Sequence, residues 1–442
     1  MNKATLRGVL ALAFVALLGG CSGKASYQPA QQSGDAPPLP AARNFLVPPM
    51  QVPRYAGWKP GQTPTVAPGL KIEKIASGLK HPRQLYTLPN GDVLVVESNG
   101  PGAEPVTTPK QLIANKIKNL SGKGAKGGNR ITLLRHNGNA AGEWEKHVFV
   151  EHLHSPFGVQ LIGDTLYVAN TDAIVKFPYV TGETRITTPA VEFTDLPATI
   201  NHHWTKALAA SPDGSKLYVG VGSNSNITEN GLEQEYRRAV VLEVEVASAG
   251  SRIYASGIRN PTGLQFEPHT GKLWAIANER DEIGADLVPD YLTSVQPGGF
   301  YGWPYSYFGQ HVDRRVMPQR PDLVAKAIKP DYALGSHVAA LGLLFSDSNA
   351  LPAKYHNGAF VSEHGSWDRS PLSGYAVVHV AFVEGKPVGT PEPVVAGFHS
   401  DDESQLYGAP VGLAQDKDGA LLIADDVGDA VWRVTAAPPG TP

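Results

Sequence analysis

The chain has 442 residues and a net charge of −3, with acids and bases interspersed rather than blocked. That balance argues against a nucleic-acid partner, and no apolar run beyond the N-terminus is long enough to span a membrane. The single cysteine, Cys21, excludes an intrachain disulfide and a covalent c-type haem, which needs Cys-x-x-Cys-His.

Residues 1–20 read as an export signal, with Lys3 and Arg7 ahead of a short apolar stretch from Val9 to Leu18. Leu18-Gly19-Gly20-Cys21 matches the small-residue pattern before a lipidated bacterial cysteine. Ser22, rather than Asp, resembles the signal of lipoproteins sorted to the outer membrane. The expectation is a periplasmic protein held to the membrane only through a lipid on Cys21. Residues 21–68 are rich in Pro, Gln, Ala and Gly, which predicts a flexible tether. Residues 69–436 form the predicted domain and 437–442 a tail.

Within that domain one unit recurs: a polar or small lead-in, an apolar strand, a turn, and a second apolar strand ending in a polar residue. It runs first from His81-Pro82-Arg83 to Glu97, then from Ser155-Pro156-Phe157-Gly158 to Asn170. Further copies start at His203-Trp204, at Asn260-Pro261-Thr262-Gly263, at Ala340-Leu341-Gly342 and at Ala409-Pro410-Val411-Gly412. A hairpin alone leaves one face unburied, so six of them must stack and close. The prediction is an all-β, six-bladed β-propeller with its lead-in residues clustered at one mouth of a central channel.

Several stretches at that mouth are unusual for structural residues. Asn201-His202-His203-Trp204 sets two histidines and an indole before the third hairpin. Gly257-Ile258-Arg259-Asn260-Pro261 sets a cation and an amide before the fourth. Asn278 to Asp286 is dense in carboxylates, Gly298 to Pro304 is rich in Gly and aromatics, and Glu363 to Arg369 holds a last polar cluster. Trp303 and Trp367 read as packing residues, and Asn224 and Asn226 as polar loop residues without a role.

The order His203, Arg259-Asn260-Pro261, acidic loop, Tyr301-Gly302-Trp303-Pro304 resembles the soluble quinoprotein glucose dehydrogenase family, nearest the sorbosone or aldose sugar dehydrogenase branch. The resemblance implies an enzyme that uses pyrroloquinoline quinone (PQQ) and Ca²⁺ to oxidise an aldose, a sorbosone-like sugar aldehyde or a related alcohol. Carried over by position, His203 is the general base, and Arg259 and Asn260 meet the quinone oxygens. The carbonyls near Asp281 and Glu282 take the catalytic Ca²⁺, and Asp286 with the Tyr301 carbonyl takes a structural one. Lys206, His364 and Arg369 are local cations for the cofactor's carboxylates.

These residue types suit that chemistry. An imidazole titrates near neutrality, a positioned guanidinium stabilises charge developing on a quinone oxygen, and Ca²⁺ prefers oxygen ligands. Two departures stand out: His202 lies beside the base, and Ala409 stands where the family pattern has an arginine. Without a haem motif the electron acceptor is separate, a periplasmic cytochrome or a quinone. Two other functions fit a propeller. One is a Ca²⁺-dependent lactonase with Glu97, Asn170, Asn278 and Asp425 as central ligands; the other is a non-catalytic binding module.

Overall fold

The computed structural model describes residues 24–43, 50–101, 116–136, 138, 142–346, 350–366 and 368–438. Cys21, the signal at 1–20 and Trp367 lie outside them. Among the described residues no helix is long and apolar enough to cross a membrane.

Six antiparallel sheets follow one another around a channel, as the hairpin repeat requires. Blade 1 is built from Pro82–Thr87, Val93–Glu97, Arg130–Arg135 and Glu145–Val150. Blade 2 uses Gly158–Ile162, Thr165–Ala169, Ala173–Pro178 and Val191–Asp195; blade 3 uses Lys206–Ala210, Lys216–Val221, Val240–Glu245 and Ser251–Ser256. Blade 4 uses Asn260–Phe266, Leu273–Asn278, Pro289–Ser294 and Tyr332–Ser336; blade 5 uses Ala340–Ser346, Gly358–Glu363, Ala376–Val383 and Lys386–Ala396. Blade 6 takes Pro410–Gln415, Leu421–Asp425 and Ala430–Ala436 from the C-terminal end, and its outer strand, Leu70–Ala76, from the start of the domain. That shared blade closes the ring and joins the two ends of the domain.

Apolar side chains from the strand faces collect between blades. One cluster joins Leu94, Val96, Ile131 and Leu133 of blade 1 to Leu166, Val168 and Phe177 of blade 2. Equivalent clusters fill the other five interfaces, including Ile75, Val95, Leu422 and Val431 between blades 6 and 1. Burial is therefore shared between neighbours, and no blade is stable without the next.

The lead-in glycines have a steric reason. A β-carbon on Gly158 would collide with the Leu208 backbone of blade 3, one on Gly342 with the Val411 carbonyl of blade 6, and one on Gly412 with the Gln84 backbone of blade 1. Innermost strands of adjacent blades approach too closely for a side chain there. Gly342→Ala is expected to cost about 1–3 kcal/mol, as overpacking does. A thermal melt would show it as a Tm several degrees lower, whereas an unchanged Tm would mean the strands can part.

The predicted tether is not free where it is described. Ser33–Gly34 adds a fifth strand to blade 4 and Thr65–Val66 a fifth strand to blade 5. Arg54–Tyr55 pairs in parallel with Gln405–Leu406, and the Trp58 indole N–H donates to Asp425 at 2.7 Å. Apolar periodicity, the signal for an independent core, is not needed here, because the segment satisfies its backbone on strands already present.

Candidate active site

Each hairpin is antiparallel, so the start of an innermost strand and the end of the second strand meet at the same mouth: Pro82 pairs Glu97, Asn260 pairs Asn278, Ala340 pairs Glu363 and Pro410 pairs Asp425. The loops before and after those residues form the rim, and the polar groups gather there.

His203 sits on the blade 3 wall. Its Nδ1 lies 2.9 Å from the Ser223 carbonyl and 3.0 Å from the Ser223 hydroxyl. A carbonyl only accepts, so Nδ1 carries the proton and Nε2 keeps its lone pair. Burial, then the positive charge of Arg259 and the neighbouring His202, hold the imidazole well below its ordinary range. It is a neutral base at neutral pH. The His202 ring stands edge-on to it, with centroids 4.6 Å apart. Arg238 fixes the loop, donating to the carbonyls of His203 at 2.8 Å and Pro197 at 2.7 Å.

Asn260 lies next to this base. A β-carbon on Gly222 would strike both the Asn260 carboxamide and the His203 side chain, so glycine lets them share the space. Asn260 Nδ2 donates to Asn278 Oδ1 at 3.3 Å, while its buried Oδ1 has no partner among the described residues. Arg259, 3% exposed, donates to the carbonyl of Glu279 at 2.7 Å and of Asn226 at 3.3 Å. Its Nη2 reaches Asn226 Oδ1 at 3.1 Å and lies 3.6 Å from Asp281 Oδ2.

Asn226, to which the sequence reading gave no role, ties these groups together. Its Oδ1 accepts from Arg259 and from the Asp281 backbone N–H at 2.9 Å, and its Nδ2 donates to the Asp281 carbonyl at 3.1 Å. Its own carbonyl also receives the Trp303 indole N–H at 3.0 Å. The one available signal was position: a small polar run, Ser223 to Asn226, directly after a second strand at the mouth.

The acidic loop departs from the expected ligand geometry. The Asp281 carbonyl already accepts from Asn226 and from Arg280 at 2.8 Å, so it is not a free metal ligand. Its carboxylate instead lies 3.2 Å from His337 Nδ1, and with Asp368 the two form the group of described residues able to hold a metal ion, ligand atoms within 4.8 Å of one another. Desolvation pushes His337 down, but the Asp281 carboxylate overrules it and holds the imidazole up. Glu282 takes left-handed backbone at φ 75° in this turn.

Asp286 accepts from the Ser26 N–H at 2.7 Å, and Arg369 Nη2 stands 3.6 Å away. The Tyr301 hydroxyl is bonded to the Ser294 carbonyl at 2.6 Å. Arg369 spends its other donors on the Ala285, Pro371 and Tyr27 carbonyls, so it braces the rim instead of facing the channel mouth. Lys206 is likewise inward, with Nζ 3.1 Å from both Asn201 Oδ1 and the Trp204 carbonyl, where it holds the loop that carries His203.

Ring closure assembles the remaining basic residues. His364 Nε2 lies 3.0 Å from Asp426, and Arg83 of blade 1 forms an ion pair with the same carboxylate. The Arg83 guanidinium stands 5.5 Å over the Trp204 ring, and its buried Nε has no partner among the described residues. Lys123, from the long blade 1 insertion, reaches the Gly365 carbonyl at 2.9 Å and lies 4.8 Å over Tyr375. Burial pushes it down to about 8. Burial also pushes His364 down to about 4, while His364 and Arg83 hold Asp426 well below the usual carboxylate range. Arg83 reaches this group from blade 1, the blade after the one that Ala409 precedes.

Each residue of the lactonase ligand set is already hydrogen-bonded, Asn278 Oδ1 by Asn260 Nδ2 at 3.3 Å. Glu97 is bonded to Arg130 and Thr132, Asp425 to Trp58, Trp432 and the Ala409 and Gly428 N–H groups, and Asn170 to the His154 N–H. These carboxylates close blade ends and leave no lone pairs for a central ion.

One rim group gives a pH test. Burial, then repulsion from Asp290, pushes Glu363 up to about 8. A raised carboxylate favours folding while protonated, and that contribution is lost as pH rises through the folded value. The Tm of the wild type relative to Glu363→Gln is expected to fall between about pH 4.5 and pH 8 and to level off above that. A constant difference would mean that Glu363 is solvated.

The family model described as TrAA12-like matches residues 102–298 and 322–437, well over half of the sequence. The chain belongs to the TrAA12-like family. An uncharacterised protein of Borreliella burgdorferi is 26% identical over 299 residues, covering 65% of this chain and 77% of its own. A pyrroloquinoline quinone-dependent pyranose dehydrogenase of Coprinopsis cinerea is 25% identical over 222 residues, 40% of this chain and 30% of that enzyme. This chain thus spans under a third of that relative. The holo PQQ domain of pyranose dehydrogenase from Coprinopsis cinerea superposes with a TM-score of 0.69 at 19% identity, covering 87% of this chain and all of that one. The soluble quinoprotein resemblance and the six-bladed fold expected from the sequence are thereby borne out.

Proposed function

We propose that this propeller is a PQQ-dependent dehydrogenase oxidising a sugar, an aldose or pyranose in the first instance and a sorbosone-like aldehyde as the narrower candidate. The carrying observation is the convergence at one mouth of a neutral imidazole, a buried Arg-Asn pair whose Asn260 Oδ1 has no partner among the described residues, and Arg83, Lys123 and His364 gathered at Asp426. The residues present fit the cofactor, whose three carboxylates need cations and whose quinone needs donors. Bound PQQ would supply the two-electron acceptor that no side chain provides.

His203 Nε2 takes the substrate's proton while Ser223 holds the ring in the required tautomer. Arg259 and Asn260 stand beside that base to bind the quinone oxygens, with Asn226 setting the guanidinium's position. Arg83, Lys123 and His364 hold carboxylates on the blade 1, 5 and 6 side. Ca²⁺ is assigned to the Asp281 and Asp368 carboxylates in place of the Asp281 and Glu282 carbonyls, with Asp286 and the Tyr301 carbonyl kept as the second site. Electrons leave to a separate acceptor, because a single cysteine cannot anchor c-type haem.

The test is dye reduction by the purified protein with added PQQ and Ca²⁺ across a panel of aldoses, sugar aldehydes and lactones. Sugar-dependent reduction that requires PQQ supports the reading. Lactone hydrolysis without PQQ would replace it with the hydrolase.

A further inference from the structure

The rim holds one buried imidazole that the proposed mechanism does not use. His337 Nε2 lies 3.0 Å from the Gly284 carbonyl, which only accepts, so Nε2 carries a proton and Nδ1 is the nitrogen that faces the acidic loop. The residue is 5% exposed, and Nδ1 stands 3.2 Å from Asp281 Oδ1. An imidazole lone pair and a carboxylate oxygen are both acceptors, so at that distance they need a proton or a metal ion between them. Ligands about 2.1–2.4 Å from one ion and at right angles stand roughly 3.0–3.4 Å apart. The observed spacing falls inside that range. A backbone carbonyl on the far nitrogen is also a usual partner of a metal-bound histidine, where it fixes the tautomer and the ring plane.

Three loops carry Asp281, His337 and Asp368, and hydrogen bonds stitch the loops together. Asp290 accepts the Glu279 N–H at 2.8 Å and the Ala339 N–H at 2.7 Å, which joins the loop of Asp281 to the turn of His337. The His364 and Gly365 N–H groups donate to the Ala339 and Val338 carbonyls, both at 2.9 Å, and bring in the loop of Asp368. The Ser373 hydroxyl donates to the His337 carbonyl at 2.9 Å. Within this frame His337 and Ala339 hold left-handed backbone at φ 60° and 53°. Asp368 is buried, whereas the Asp281 side chain keeps 42% of its surface and leaves an ion a way in.

We infer that the Asp281–His337–Asp368 site prefers a divalent first-row transition cation to Ca²⁺, with His337 Nδ1 as its third ligand. The inference rests on the reading that a divalent ion binds at Asp281 and Asp368, and it names which ion that set of donors selects. Two carboxylates accept either class of cation. Ca²⁺ takes oxygen ligands and gains little from an imidazole, whereas cations from Co²⁺ to Zn²⁺ bind imidazole nitrogen well. The nitrogen therefore decides the order of preference. Arg259 Nη2 lies 3.6 Å from Asp281 Oδ2, so the ion shares this carboxylate with the guanidinium that the proposed function places at the cofactor.

The experiment uses the full chain, stripped of metal with a chelator and free of PQQ, loaded with Co²⁺ and then challenged with Ca²⁺. Proton NMR of the Co²⁺ complex should show a strongly shifted exchangeable resonance, the imidazole Nε2–H of a metal-bound histidine. Ca²⁺ should displace half of the Co²⁺ only at a tenfold excess or more, about the margin a nitrogen ligand gives. In H337Q the shifted resonance should vanish, and calorimetric titration should show Co²⁺ and Ca²⁺ binding within about threefold of each other. A Co²⁺ complex without that resonance, displacement by an equal concentration of Ca²⁺, or a resonance that survives in H337Q would overturn the inference. The first two outcomes are read on the wild type, so they decide even where H337Q fails to fold. Because the titration contains no PQQ, its result stands apart from the dye assay, which alone decides the dehydrogenase reading.

Discussion

His203→Ala is expected to lower kcat about 10²–10⁴-fold, the usual contribution of a positioned general base. The backbone here is held by Arg238 and Ser223 instead of by the imidazole, so the fold should survive with a Tm close to the wild type. The pH profile separates a base from a packing residue. Burial and Arg259 hold His203 well below its ordinary range, so the active, neutral form persists to acid pH and is lost only as pH falls through that depressed value. The acid limb of kcat/KM should therefore lie below pH ~6.5, the unperturbed histidine value. A limb at or above it, or a variant with full turnover, would take the base from His203 and pass it to His202.

Arg259→Met is the second large effect, and it has two parts. The guanidinium donates to the Glu279 and Asn226 carbonyls and to the Asn226 side chain, all buried, so its removal leaves acceptors unpaired at about 1–3 kcal/mol each. A clear fall in Tm is expected, measurable without cofactor or substrate. The charge also acts on His203, so its loss should move the acid limb of kcat/KM towards higher pH. Turnover should fall about 10²–10³-fold, as when a donor to developing charge is removed. Asn226→Ala should reproduce part of this although Asn226 carries no charge, because it sets where the guanidinium sits. An Arg259 variant with an unmoved limb would place the guanidinium outside the site's electrostatics.

The fold was legible because each blade repeats one hairpin, and the glycine in each lead-in reports a strand too close to its neighbour for a side chain. His203 and the Arg259-Asn260 pair were legible because they stand at repeat starts, where geometry already concentrates the chemistry. Arg83, Lys123 and Asp426 were not. Arg83 and Asp426 are separated by nearly the whole domain and meet only because blade 6 closes on blade 1. Asn226 escaped because its importance lies in what it orients, which local sequence does not show. The strands of the 21–68 segment were not legible because composition measures the capacity to form a core, whereas this segment borrows strands and carbonyls from the propeller. The contact of Asp286 with the borrowed segment was hidden for the same reason: the Ser26 N–H that it accepts comes from the residues read as a tether.

The measurement that bears most directly on the cofactor site is a calorimetric titration of PQQ into the full chain in the presence of Ca²⁺, repeated on Arg83→Ala and Lys123→Ala. Saturable equimolar binding by the wild type, weakened at least about tenfold in each variant by loss of a charge-assisted contact, is the predicted result. No binding of PQQ while Ca²⁺ alone still raises the Tm would contradict it and return the propeller to hydrolytic chemistry.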